Sequence, residues 1–334
     1  MAKQTVREHY VPESLLKNFC TVNEKIYIFD KSNQQSRYDS LGNVASERYF
    51  YDFPSSKNPQ LMEKLFSGLE TRQISFLRHL QRKINNVRNL PKIRAYDVAI
   101  LSEEQKKDLS VVVAVQFLRT KLLRNINIEI RAINQPLLRI SLENDVNNFL
   151  EDIGIEGEIK NSLLSYALQQ YDIETIIEKN AESLIHARFI LQNYEEFAKK
   201  LRSFTWIIGV NVNGVPVYTS DHPVVRRAHL NSHGLFSEGS EIIFPLDSEL
   251  ILLMFEPKFY QRFTHRDCKL MELNPDEINQ YNSLQVVESY RSVFCNSDSF
   301  DLARNICLQN PELHTIGRAR INVIRNSENK KEDM

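Results

Sequence analysis

The stretch that most constrains this chain is Phe204 to Val224, FTWIIGVNVNGVPVYTSDHPV. Asn213-Gly214 separates two apolar, β-branched runs, Trp206–Val212 and Val215–Thr219. A two-residue turn asks for positive φ, which Asn and Gly adopt at little steric cost. The stretch therefore reads as a hairpin. Pro216 confines its second strand to an edge, or to one-sided pairing, because proline has no N–H to donate. It ends in Thr219-Ser220-Asp221-His222-Pro223, held extended before the proline, with Ser and Asp side chains able to bond back to nearby amides. Two readings stay open: a strand-ending Asx turn, or a carboxylate and an imidazole held rigidly at the end of a sheet.

On either side the periodicity changes. Residues 1–53 read as a small mixed unit, with a short helix at Glu13–Phe19 (Leu15, Leu16 and Phe19 on one face) and a strand at Lys25–Asp30. Asp52 to Ser56 breaks the pattern. Residues 57–203 follow a helical period: Leu61, Leu65, Leu69, Ile74, Leu77, Leu80 and Ile84 mark one long amphipathic helix, and Pro91 interrupts. Ser102 with Gln105 has the form of a capping box. The nearly all-apolar run Leu109–Leu123 predicts a central buried helix whose continuation ends or kinks at Pro136. Short helices are expected over 137–172, with Gly154 and Gly157 in a connection, then a long helix over Glu174–Leu201. Residues 204–325 are strand-rich, with strands at Glu241–Leu246, Glu249–Phe255 and Ser292–Cys295. Helices are expected to start at Asn274-Pro275 and to run over Asp301–Gln309. A polar tail, 326–334, reads as disordered. The expectation is one elaborate α+β domain over 1–325: a central bundle of long helices with an antiparallel sheet formed by N- and C-terminal strands.

Composition excludes more than it assigns. A formal net charge of -1 advertises no global field for nucleic acid or anionic membrane. Only 9 glycines are present, and neither GxGxxG nor GxxxxGK[ST] occurs, which removes the commonest phosphate loops. Cys20, Cys268, Cys295 and Cys307 form no CxxC pair and suit free thiols in a reducing compartment. The opening MAKQTVREHYVPESLL has no apolar leader-type segment, and no window approaches the ~18 apolar residues of a membrane helix. A cytoplasmic protein without a membrane partner is expected.

Several motifs occur together in order: His9-Tyr10-Val11-Pro12 with Leu16 and Phe19; Ile26 to Lys31; Glu47 with Phe50-Tyr51; Glu70; Val113 to Thr120 (VAVQFLRT); Trp206; Thr219 to Val224 (TSDHPV); and Phe244-Pro245-Leu246. Together they resemble the bacterial and phage family catalogued as domain of unknown function 4238, over about residues 8 to 300. The resemblance implies an accessory protein of a prophage or mobile element, with a role in phage defence or a toxin-like activity.

The polar residues of those motifs are the candidate site. His9, Glu70, Arg119 and Asp221 form the candidate catalytic set: an imidazole beside a carboxylate can move protons, and a guanidinium can clamp a phosphate or carboxylate bidentately. Glu47, Gln116 and His222 are candidate binding residues. Two or three of the carboxylates could instead hold a divalent metal for phosphodiester hydrolysis; no cofactor is otherwise specified. The competing reading is a buried network, since Arg119 on an apolar helix needs a carboxylate partner for structural reasons alone.

The function expected is a nuclease-like, phosphodiester-hydrolysing effector acting on nucleic acid. The alternative is a non-catalytic regulator or adaptor binding a protein of the same system, or a small ligand, through the same polar cleft. Three weaker patterns read as incidental. Arg72 and His79, two helical turns apart, have the spacing used by helical ribonucleases, and a solvated helix face explains them equally. His229 and His233 lie in a loop without a nearby Cys or carboxylate pair for zinc. Asp152 with Glu158-Ile159-Lys160 has a nuclease-like spacing but sits in a helical segment.

Overall fold

The computed structural model describes residues 7–21, 24–51, 61–88, 97–179, 182–230 and 234–318. The break expected at 52–56, Pro91, His233 and the tail 326–334 lie outside them. The architecture is α+β. Strands β1 (Arg7–His9), β2 (Lys25–Asp30), β3 (Gln35–Ser40) and β4 (Ser46–Arg48) surround the short helix α1 (Glu13–Leu16). Helices α2 (Leu61–Arg88), α3 (Glu103–Leu118), α4 (Lys121–Asp152), α5 (Gly157–Lys179) and α6 (Glu182–Arg202) follow. The C-terminal part holds β5 (Thr205–Asn211), β6 (Thr219–Ser220), β7 (Val225–Ala228), β8 (Ser240–Pro245), β9 (Leu250–Phe255) and β10 (Lys269–Leu273). Helix α7 (Pro275–Glu288), strand β11 (Ser292–Cys295) and helix α8 (Asp301–Gln309) complete it.

The described residues divide into two compact units, the first falling within 7–124 and 178–316 and the second within 125–177 and 317–318. In the first, an antiparallel sheet of order β3-β2-β11-β6 joins N- and C-terminal strands: Phe29 lies opposite Val293, and Phe294 opposite Thr219. A second sheet has the order β10-β5-β9-β8-β7, antiparallel except for the β10/β5 pair, and every residue of β5, β8 and β9 is buried. A near-continuous apolar strand of this kind is the signature of a sheet covered on both faces. A two-stranded ribbon pairs β1 with β4.

Helix α3 packs on α6 and α2 and is buried on most of its surface. Its start is the expected capping box: the Gln105 N–H donates to Ser102 Oγ and the Ser102 N–H to Gln105 Oε1. The one ammonium it buries, Lys106, is neutralised by Asp267 at 2.8 Å and also donates to the Phe204 carbonyl at 2.8 Å. Helix α7 opens with a second capping box, Asn274 with Glu277.

The hairpin does not form. β5 pairs with β9 and β10, residues 212–218 join no strand, and β6 belongs to the other sheet. The Asn-Gly turn is present, with Gly214 at φ 69°. Asn211 Nδ2 reaches the Val215 carbonyl at 2.6 Å, and Asn213 Nδ2 the Leu273 carbonyl at 2.7 Å. Beyond the turn, the backbone is satisfied by a side chain: Asn282 on α7 accepts from the Tyr218 N–H at 2.8 Å and donates to the Pro216 carbonyl at 2.7 Å. With these groups met by side chains, the segment crosses from one sheet to the other without a partner strand.

Two helical expectations also change. The run Leu109–Leu123 is split at Arg119-Thr120 between α3 and α4, and of the two outcomes expected at Pro136, an end or a kink, the end does not occur: α4 passes through it, forgoing one main-chain bond. Residues 137–172 accordingly belong to two long helices, α4 and α5, with Gly154 (φ 75°) and Gly157 (φ 68°) making the connection. Among the described residues of the second unit only Leu150 is buried, while Leu137, Leu138, Ile140, Phe149, Ile159 and Tyr166 are more than half exposed.

Candidate functional site

The candidate residues gather around the C-terminal end of α3. There the helix stops at Arg119, and α4 restarts two residues later, so successive side chains leave in different directions. Gln116 is buried and donates to the Tyr10 carbonyl at 3.2 Å. Arg119, 3% exposed, uses all three of its donor directions: Nε to the Tyr51 hydroxyl at 3.4 Å, Nη1 to Glu70 at 3.2 Å, and Nη2 to the His9 carbonyl. Its guanidinium also lies over the Phe66 ring, 4.2 Å from the centroid. The Tyr51 hydroxyl in turn donates to the Arg119 carbonyl. Further on, Lys121 pairs with Glu47 and Arg124 donates to the Phe50 carbonyl.

His9, Glu70 and Arg119 are therefore brought together, but His9 meets Arg119 through its backbone. The His9 ring faces the other way, with Nε2 at 3.3 Å from Glu13 and 3.4 Å from the Leu41 carbonyl. Burial lowers its pKa, against the pull of Glu13, so the imidazole is neutral near pH 7.

Asp221 is held separately by the turn that ends at Pro223. Ser220 Oγ donates to Gln285 on α7 at 2.6 Å, and Gln285 Nε2 donates to the Pro223 carbonyl at 2.9 Å, which clamps the turn to that helix. The Asp221 carboxylate is 1% exposed and accepts the N–H groups of Tyr290, Arg291 and Ser292, each at 2.8 Å. Burial pushes its pKa up, while those N–H donors and the nearby Lys31 ammonium pull the other way. Lys31 is itself buried, donating to the carbonyls of Val286 and Ser289 at the end of α7. His222 sits beside Thr120, Nδ1 to Oγ1 2.8 Å, with its ring 5.4 Å from that of Phe117. The Thr120 hydroxyl thus joins the turn to the helix end that carries Arg119.

Where these parts meet there is a polar pocket of about 240 Å³. Glu47 and Asp221 line it, together with Asp30, Lys121, Tyr290 and Arg291; His9, Glu70, Gln116, Arg119 and His222 do not. Arg291 donates to Asp30 at 2.6 and 2.8 Å. Burial alone would raise the Asp30 pKa, but Arg291 and Ser32 hold it below the usual carboxylate value. Lys121 Nζ lies 5.2 Å from the centroid of the Tyr290 ring. Tyr10 lines the same pocket, its phenol pushed well up by burial and by Asp221. The wall thus carries three carboxylates and, with Arg37, three cations.

The charged and aromatic lining residues that sequence reasoning did not single out include Asp30, Arg37, Lys121, Tyr290 and Arg291. Lys121 directly follows the singled-out VAVQFLRT stretch, and Asp30 ends the recognised β2 run. Tyr290 and Arg291 carry no local signal.

Glu47, Glu70 and Asp221 do not make a metal cluster. Among the described residues the one group of three ligand types close enough for a shared ion is Glu103, Asp267 and Cys268, and Asp267 is already engaged by Lys106 and the Trp206 N–H. Arg72 is exposed on α2 and His79 half-buried two turns on; His229 contacts Glu241 at 3.0 Å. Glu158 to Lys160 open helix α5. All four cysteines are free, and no described helix is long and apolar enough to cross a membrane.

The fold and pocket define an α+β protein in which one clamped Asp-His-Pro turn closes a site against the N-terminal strands. The chain belongs to the family described as protein of unknown function DUF4238, whose sequence model matches residues 7–299. No curated protein and no solved structure matches the chain.

Proposed function

We propose that this protein is a binding module, a regulator or adaptor of a mobile-element system, which takes a small polar ligand bearing both charge signs in the polar pocket, on Glu47 and Lys121. The observation that carries this reading is the contrast between pocket and network. The pocket is open and lined by groups of both signs, whereas the groups chemistry would call on, Arg119 and the Asp221 carboxylate, are spent on internal partners. Groups that are already satisfied orient a site better than they react in it. The Lys121–Glu47 pair, by contrast, is partly exposed, and a zwitterion could exchange partners with it at little desolvation cost.

The test is thermal stabilisation of the unmutated protein by free amino acids, nucleosides and nucleoside monophosphates, repeated with Glu47→Gln and Lys121→Met. Stabilisation by one class that both substitutions abolish supports the reading. A ligand whose effect survives both substitutions overturns it.

A phosphodiester-hydrolysing effector in phage defence is the second reading. It is favoured by the neutral, half-buried His9 imidazole beside Glu13, an arrangement suited to accepting a proton. It requires cleavage of RNA or DNA that is lost in His9→Ala while the fold is retained. Absence of cleavage by the unmutated protein, with or without added divalent cations, removes it.

A further inference from the structure

Helices α2, α3 and α6 leave a groove of about 690 Å³ on the first unit, remote in sequence from the Asp221 turn and sharing no lining residue with the polar pocket. Its floor is aliphatic: Val111 and Val115 one turn apart on α3, Ile190 and Ala198 on α6, with Leu65 and Leu191 left 44% and 41% exposed along its edges. Its rim is basic. Lys64 and Arg72 come from α2, Lys107 from α3, Lys199 and Arg202 from α6, and all five are exposed. None of the five takes part in an ion pair or a side-chain hydrogen bond among the described residues, although the neighbouring Lys200 pairs with Glu196. The single carboxylate of the lining, Glu195, accepts from the Tyr194 hydroxyl. The lining thus carries five cations and one carboxylate beside an apolar trough, with Glu196, outside it, shared between Lys200 and the field of Lys199.

We propose that this groove binds a single-chain amphiphile with an anionic, phosphate-type head, its alkyl chain on the aliphatic floor and its charge among the rim cations. Each half of the site explains the other. Solvated lysines alone would not need an open apolar trough between them, and an apolar trough alone would not collect five unpaired cations. The volume lies within the range of small-molecule sites. A nucleic-acid strand fits less well, because stacking platforms are exposed aromatic faces, and of the two rings in the lining Phe66 is 2% exposed and Tyr194 is half-buried with its hydroxyl on Glu195.

Dodecyl phosphate, titrated calorimetrically below its micellar concentration into the full chain, is the probe. Saturable binding is expected, weakening about fourfold for each methylene removed from the chain, the fold-change of ~0.8 kcal/mol per buried CH₂. The Lys199→Glu, Arg202→Glu double variant should bind at least tenfold more weakly, as should Leu191→Glu. Both changes lie on exposed positions, so far-UV circular dichroism should be unaltered; Lys64→Glu serves in place of any variant that fails this check. Dodecyl maltoside, with the same chain and no charge, should bind more weakly than the phosphate. Failure to bind, affinity independent of chain length, or full competition by inorganic phosphate would overturn the assignment. So would an acidic amphipathic peptide or single-stranded RNA binding in a manner sensitive to the same charge reversals while dodecyl phosphate does not.

Discussion

Lowering the pH should destabilise the first unit through one residue, His186. It lies on α6, 1% exposed, with its ring stacked on Tyr51 at 5.9 Å and edge-on to Phe50 at 5.9 Å. Burial lowers its pKa from 6.5 to about 3, the Arg124 charge adds to the effect, and the Arg119 backbone opposes it weakly. The folded chain therefore keeps this imidazole neutral down to about pH 3, while the unfolded chain takes up a proton near pH 6.5. Between those values the unfolded state binds more protons, so stability falls as pH falls through the window. One pKa unit corresponds to ~1.4 kcal/mol. The loss at pH 5 is then about 2 kcal/mol, with a ceiling of about 5 kcal/mol by pH 3.

Carboxylates and His9 titrate in the same range, so the informative quantity is a difference between proteins. His186→Phe keeps an aromatic ring against Tyr51 and removes the titration. Urea unfolding followed by the fluorescence of Trp206, the only tryptophan, should show the unmutated protein losing about 2 kcal/mol more than His186→Phe between pH 7.5 and pH 5. Equal losses in the two proteins would refute the reasoning.

Three further outcomes follow from contacts in the structure. Arg119→Ala leaves the Tyr51 hydroxyl, Glu70 and the His9 carbonyl without their donor, and should cost about 3 kcal/mol in urea unfolding; Arg119→Lys, which lacks the planar fork, should recover little of it. Asp221→Asn halves the acceptor capacity offered to the N–H groups of Tyr290, Arg291 and Ser292, and should lower stability by ~1–3 kcal/mol, measured as a fall in Tm. Gly209→Ala would set a Cβ 2.6 Å from Leu273 Cδ1; a cost of ~1–3 kcal/mol is expected from overpacking, and adding Leu273→Val should give a double variant more stable than the sum of the singles.

What the sequence disclosed was governed by locality. Ser102 with Gln105, and Asn274 with Glu277, satisfy each other within one turn, so both helix starts were readable. The Asn213-Gly214 turn was equally readable, but its sequel was decided by Asn282, more than sixty residues away, whose amide takes the place of a partner strand. The continuation of α4 through Pro136 shows propensity outweighed along a 32-residue helix. At the candidate site, a carboxylate partner for Arg119 was anticipated because a buried guanidinium demands one; that Glu70 supplies it was shown only by the structure. The donors to Asp221 were not anticipated, because they are peptide N–H groups, which no side-chain pattern advertises.

The pairing of β2 with β11 has a consequence for synthesis. Asp30 lies opposite Ser292, so β2 leaves the ribosome some 260 residues before the strand that completes its sheet. At ~5–20 residues per second that interval is roughly 13 to 50 s. During it Ile26, Ile28 and Phe29, all buried in the finished sheet, have only β3 beside them. A nascent chain of this kind presents an open, apolar strand edge to its neighbours for tens of seconds, long enough for chaperone capture or for misassembly between chains on one polysome.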